Sequence, residues 1–288
     1  MRVGAAAPSS DPVGVVTETD PMKRTVTADI DLDVTGPGRV VFQVAVAEAP
    51  GLEVHENFVL TLDGTVISAR EVIGVTGSRF QVVEPQPGKL LLSDTATVTG
   101  RADPPEVLEH ELIEYLRPSR YAESDKLAVI AAQEFGGITA ADDLLAGVAA
   151  WVGGHLSYVS GSSDPIDGSV DTYLLGKGVC RDYAHLVVAF LRARNVPARL
   201  VAVYAPGLSP MDFHAVAEAF VHGQWRVVDG TLLAPRSSLL RIATGRDAAD
   251  TAFLDSFGGG ITFNTATVTA VTHGQLPGDD PRTPVTLG

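Results

Sequence analysis

Cys180 is the single cysteine among 288 residues, and it stands where a thiol gains reactivity. Gly176-Lys177-Gly178 leads directly into it. The residues that follow carry a helical pattern, with Val179, Tyr183, Leu186, Val187, Phe190 and Leu191 on one face. Val188 and Ala189 widen that face, which predicts a helix buried on most sides. Asn195 can adopt the left-handed conformation that closes a helix, and Pro197 prevents its continuation. Cys180 is therefore expected in the first turn. Unpaired N–H groups and a partial positive charge there favour the thiolate, the nucleophilic form. A free cysteine is otherwise a small apolar core residue, so downstream partners have to decide between the two.

A catalytic thiol needs a base nearby and a group that orients the base. His214 and Asp229 are the candidates. Phe213–Val221 and Gln224–Val228 read as strands joined at His222-Gly223. Glycine in the second turn position favours a two-residue turn. Val221 then opposes Gln224, and Asp229 opposes Val216. Side chains two apart share a face, so His214 and Asp229 become diagonal neighbours, roughly 7–8 Å apart at Cβ or somewhat less. A three-residue turn would send Asp229 to the opposite face.

The same spacing sets other residues aside. Glu218 shares the strand face but lies roughly 13 Å from His214 at ~3.3 Å per residue. His222 occupies the turn, and Tyr158–Ser169 is a polar loop. His185 falls on the other side of the Cys180 helix and reads as a structural, hydrogen-bonded histidine. His55, His110, His155 and His273 have no assignable partners in the sequence. No metal-ligand spacing joins His214, His222 and the carboxylates, and a lone cysteine excludes a cysteine-rich zinc site or an intramolecular disulfide. No cofactor and no metal are expected.

The elements that must position these residues fall into two parts. Residues 21–102 read as a β-rich domain: Arg24–Val34, Arg39–Val46, Phe58–Leu62, Thr65–Ser68, Arg79–Val83, Lys89–Leu92 and Asp94–Gly100 are the strands. Thr35-Gly36-Pro37-Gly38 is a turn, and Asp63-Gly64 is a strong hairpin signal. This predicts a sandwich or barrel serving structure or recognition. A composition shift at Arg101–Pro105 opens a second part, 103–273. Helices are expected at Pro104–Tyr115, Ser124–Phe135 and Thr139–His155, the last with Thr139 as cap and Asp142 three residues on. After the Cys180 helix come a strand at Ala198–Tyr204, the hairpin, a short helix around Asp247–Phe253 and a final strand or pair at Ile261–Thr272. Residues 1–20 are expected to be disordered and 274–288 to form a loose tail.

A net charge of −14 leaves no sequence-wide basic patch, so nucleic acid is not an expected partner; the acidity can favour basic substrates. Residues 1–20 lack the features of a signal peptide, and no apolar run approaches the roughly 20 residues of a membrane span. No membrane partner and a cytoplasmic location are expected, with the oligomeric state open.

Gly178-Val179-Cys180-Arg181-Asp182-Tyr183-Ala184-His185-Leu186 resembles the cysteine motif of the bacterial transglutaminase-like superfamily. Asp212-Phe213-His214-Ala215 and Trp225-Arg226-Val227-Val228-Asp229-Gly230-Thr231 resemble its histidine and aspartate motifs, in the same order. Arg241–Asp250 resembles the segment that follows the core in bacterial members. The likeness covers about residues 110–270, and the β-rich part before it is similar to the domain often attached to such cores. Gly230-Thr231 departs mildly, standing where proline or alanine often precedes threonine. The resemblance implies an α+β fold, a papain-like core of helices on an antiparallel sheet. It implies acyl transfer on a peptide or protein amide substrate through a thioester. Cys180 would be the nucleophile, His214 the base and then acid, and Asp229 the orienter. The Cys180 backbone N–H would give one oxyanion donor. Trp151 and Tyr158 are candidates for the second. Peptidase or amidase activity is the leading expectation. Transamidation or a catalytically silent binding module on the same fold are the alternatives.

Overall fold

A computed structural model describes residues 22–288. The stretch 1–20, expected to be disordered, lies outside the described residues. The first seven strands are β1 (Lys23–Val34), β2 (Arg39–Phe42), β3 (Leu52–Leu62), β4 (Thr65–Ile67), β5 (Arg70–Ile73), β6 (Arg79–Val83) and β7 (Gly88–Gly100). Three helices follow, α1 (Glu109–Glu114), α2 (Ala128–Phe135) and α3 (Ala141–His155). A two-residue strand β8 (Ser157–Tyr158), helix α4 (Ser169–Leu175) and β9 (Lys177–Gly178) lead to α5 (Cys180–Ala193). The chain ends with β10 (Ala198–Tyr204), β11 (Phe213–Val221), β12 (Gln224–Val228), β13 (Leu240–Gly245), α6 (Ala248–Thr251), β14 (Leu254–Phe257) and β15 (Ile261–Thr272).

Alternation drives the N-terminal strands. Val26, Ala28, Ile30, Leu32 and Val34 of β1 turn inward, while the threonines and aspartates between them face outward. Two antiparallel sheets result, in the orders β15-β1-β7-β3-β4 and β14-β2-β6-β5. They share one apolar cluster that includes Ile30, Phe42, Leu60, Leu90 and Val98. Asp63 and Gly64 both have positive φ and close the β3–β4 hairpin, as their sequence predicts. Thr35–Gly38 carries the chain from one sheet to the other.

A separate four-stranded sheet runs β12-β11-β10-β13. Helix α5 lies against β10 and β11, with Leu186, Val187, Val188, Phe190 and Leu191 fully buried. Helices α2, α3 and α4 pack on its other sides. The predicted end of α5 is present: Asn195 has φ 60°, just before Val196-Pro197.

Several boundaries differ from the sequence reading. Lys89–Leu92 and Asp94–Gly100 are one strand, because β7 is paired on both sides and the ladders hold polar Ser93 and Asp94 in it. Helix α1 starts five residues after Pro104, with Leu108 still extended immediately before it. Thr139 does not cap α3; the extended residue before that helix is Ala140, and no side chain caps it. β13 was not anticipated, although it is the edge strand beside β10.

The largest difference lies in how the two parts join. β15 pairs with β1 along its length and β14 pairs with β2, so residues 254–272 complete both N-terminal sheets. Tyr204, Leu240 and Ile242 also enter the N-terminal apolar cluster. Residues 274–288 lack regular structure but are not loose. Arg236 donates to both oxygens of Asp279 and to the carbonyls of Asp280 and Thr283, and Val227 N–H donates to the Val285 carbonyl. Among the described residues, no helix is long and apolar enough to cross a membrane.

Candidate functional site

Cys180 occupies the first turn of α5, after an extended Val179. Asp182 reaches back to accept the Val179 N–H at 2.8 Å, closing the helix start. The second oxygen of Asp182 accepts from the Ser163 hydroxyl at 2.9 Å. Arg181 donates to Ser163 Oγ and to the Asp164 carbonyl, which ties the polar loop to the same turn. Gly178 is required by this closure: a Cβ there would come within 2.6 Å of Asp182 Cβ. The sequence reading assigned no role to Asp182, yet an acid three residues after the N-cap is the signal that finds it.

His214 is the second residue of β11, and Asp229 follows the last residue of β12. The hairpin has the expected register, Val221 opposite Gln224 and Ala217 opposite Val228, around His222 and Gly223 with positive φ. His214 Nε2 lies 3.2 Å from Asp229 Oδ2, and both side chains are buried. Asp229 Oδ1 accepts from the Thr231 N–H and hydroxyl, each at 2.8 Å. The threonine holds the carboxylate in orientation, a role not read from the sequence.

Burial alone would push the His214 imidazole down; the Asp229 hydrogen bond and the nearby Cys180 override it and raise the group to about 10. Burial opposes ionisation of Asp229 as well, but His214 and the two Thr231 donors hold its carboxyl below the usual carboxylate range. His214 Nδ1 has no hydrogen-bond partner. Cys180 Sγ lies 3.9 Å from the carbonyl of Phe213, the residue preceding His214. The Tyr158 hydroxyl is pushed up to about 12, first by burial and then by the Cys180 thiol, with the Cys180 backbone N–H opposing.

The residues set aside lie elsewhere. His185 is fully buried, accepts the Ala248 N–H at 3.1 Å and stacks on Tyr121. Burial lowers its imidazole to about 3. His222 is exposed, 3.4 Å from Asp142. His155 contacts the Tyr173 carbonyl, His273 contacts Thr25, His55 contacts Glu53, and His110 is exposed. Trp151 donates to Glu134 at 2.9 Å, which removes it as an oxyanion donor. Glu218 forms a separate buried cluster with Arg199 and Arg241. Among the described residues, no three His, Cys, Asp or Glu side chains gather as a metal site.

Cys180 and His214 line a cleft of about 800 Å³. Gln43 from the sandwich, Phe253 just before β14 and Phe263 of β15 line it as well.

The sequence model of the transglutaminase-like superfamily matches residues 130–230, the span from α2 to just past Asp229. An uncharacterized protein of Mycobacterium leprae is 27% identical over 116 residues, covering 36% of this chain. The match spans 40% of the length of that curated relative. The periplasmic domain of TgpA from Pseudomonas aeruginosa is 16% identical, with a TM-score of 0.40 over 75% of this chain and 92% of that one. The crystal structure of a candidate cysteine protease from Cytophaga hutchinsonii is 31% identical, with a TM-score of 0.82 over 91% of this chain and 94% of that one. With that likeness sustained along nearly the whole length of both chains, and the motif-bearing segment matched, the chain belongs to the transglutaminase-like superfamily.

Proposed function

We propose that this chain is a cysteine-dependent acyl-transfer enzyme that cleaves amide bonds through a thioester, as a peptidase or amidase. The observation that carries the reading is the buried His214–Asp229 hydrogen bond, which leaves Nδ1 without a partner on the side of the Cys180 cleft. The likeness to a candidate cysteine protease supports the same chemistry.

In this reading the Cys180 sulfur, as thiolate, attacks the substrate carbonyl carbon. His214 holds the thiol proton as imidazolium, stabilised by Asp229. The Cys180 N–H and the Tyr158 hydroxyl donate to the developing oxyanion. The C–N bond then breaks, the leaving amine takes the proton from His214, and the acyl group remains on sulfur. His214, now neutral, removes a proton from water, which attacks the thioester; the carboxylic acid departs and Cys180 recovers its thiolate–imidazolium pair. An amine replacing water in that last step gives transamidation.

No cofactor enters this scheme. The cytoplasm is proposed as the compartment, to be checked by fractionating cells that express the tagged full chain. The test of the reaction is labelling with a panel of peptide electrophiles, followed by mass spectrometry of cleaved products. Cys180-dependent labelling with release of an amine supports the reading. Selective peptide binding with no modification at Cys180 and no turnover would favour a silent binding module.

A further inference from the structure

Gln43 follows β2 and lines the cleft that Cys180 also lines. Its backbone N–H is spoken for by the Phe253 carbonyl at 3.0 Å. The residue is only 3% exposed, and its side-chain amide nitrogen has no hydrogen-bond partner among the described residues. A buried donor left unpaired costs on the order of 1–3 kcal/mol. A ligand oxygen delivered there would remove that cost.

The surroundings define what such a ligand must be. Phe213, Phe253 and Phe263 form a row along the cleft, with ring centroids 5.0 Å and 5.9 Å apart. Phe263 is 46% exposed, so the row ends in an open apolar face. Asp212 and Asp255 also line the cleft and disfavour an acidic ligand, while Arg181 is engaged by Ser163 and Asp164. Gln43, Ala249 and Asp255 border a second cleft as well, of about 610 Å³, between the sandwich and the core. The two cavities therefore adjoin at Gln43. Their combined reach exceeds what one small molecule fills, since such pockets run roughly 300–1,000 Å³.

We propose that Gln43 is a substrate-binding residue, donating its amide N–H to a backbone carbonyl of an extended polypeptide whose bulky apolar side chain rests on the Phe213–Phe253–Phe263 row. The sandwich thus supplies part of the recognition surface, and the substrate is a polypeptide segment rather than a small free amide. This deepens the acyl-transfer reading and rests on it for the direction of the bound chain towards Cys180.

The test measures binding in the full-length Cys180→Ala chain, where no chemistry can occur. The probes are acetyl-Ala-Ala-Phe-Ala-Ala-amide, its analogue with Asp in place of Phe, and acetyl-Phe-amide, followed by isothermal calorimetry. The phenylalanine pentapeptide is expected to bind at least about ten-fold tighter than its Asp analogue, as burying an aromatic ring allows, and tighter than acetyl-Phe-amide, which carries the ring but lacks the flanking backbone that meets Gln43. Gln43→Leu, which removes an unpartnered donor, should keep or raise Tm while weakening the pentapeptide about five-fold, the size of one hydrogen bond. A merely structural glutamine would lower Tm on this substitution and leave the pentapeptide affinity unchanged. Phe263→Ala should cut that ratio about three-fold or more, and it reads the wall even if Gln43→Leu fails to fold. Equal binding of the three probes, or a ratio unmoved by Phe263→Ala, overturns the proposal, and so does unchanged affinity in Gln43→Leu. If this binding pattern is found but the unmodified chain forms no acyl-Cys180 with an activated ester of the same pentapeptide, the groove stands and the acyl-transfer reading is what fails.

Discussion

Asp229 grips His214 through Nε2, at 3.2 Å, and Thr231 grips Asp229 through its other oxygen. The imidazole thus has one edge fixed by Asp229, while its Nδ1 has no hydrogen-bond partner. Asp229→Asn keeps the shape but removes the charge and can present N–H₂, favouring the wrong tautomer. A loss of roughly 10–10³-fold in kcat is expected, near 1.4–4 kcal/mol. Steady-state kinetics beside a melting curve check it: kcat should fall at a temperature where the melting curve shows the variant still folded.

The pH dependence follows from His214, whose folded pKa is raised to about 10. A free imidazole titrates at ~6.5. The sign is that of a raised group. Its stabilising contribution is fully present below ~6.5 and is lost as pH rises through the folded value. The alkaline limb of kcat/KM should lie well above 6.5, and Asp229→Asn should move it down. A limb unmoved by that substitution would separate His214 from the titrating group.

Glu218 sits on the same strand as His214 but serves the fold. Burial opposes its ionisation, yet Arg241 and Arg199 hold it at about 2, well below its ordinary 4.5. The stability it contributes is present above about 4.5 and is lost as pH falls through about 2. Glu218→Gln should cost about 3–5 kcal/mol, because two arginines lose their buried partner. Chemical denaturation at neutral pH reads this loss, and at pH 2 the difference from the parent chain should shrink. In the fraction that remains folded, kcat should be unchanged.

The sandwich and the core are expected to fail apart. β14 and β15 complete the N-terminal sheets, and Tyr204, Leu240 and Ile242 enter their apolar cluster. A fragment beginning at Asp103 would expose the pairing edges of β14 and β15, an aggregation hazard. Its circular dichroism and solubility should both be poor. A soluble, cooperatively melting fragment would show that the shared strands are dispensable and restore a boundary near residue 102.

Arg236 should govern the C-terminal segment. It is buried and bonded to Asp279, Asp280 and Thr283. Arg236→Ala should free residues 274–288 to proteolysis and cost about 2–3 kcal/mol, the scale of charge-assisted hydrogen bonds. Limited proteolysis with mass mapping checks the location of the new cuts.

Local signals in the sequence determined much of this protein. The Val179–Leu191 pattern with Asn195 and Pro197 marks α5, and the His222-Gly223 turn sets a register that puts His214 and Asp229 on one face. Those are short-range effects, fixed by backbone period and turn geometry. The tertiary structure alone decided that β15 lies beside β1 and that Arg236 captures residues 279–283. It alone brought Gln43 and Phe263 to the same cleft, though they are separated by most of the chain. Strand pairing and side-chain contacts across such distances depend on which surfaces meet after collapse. No period or turn in the sequence encodes that choice.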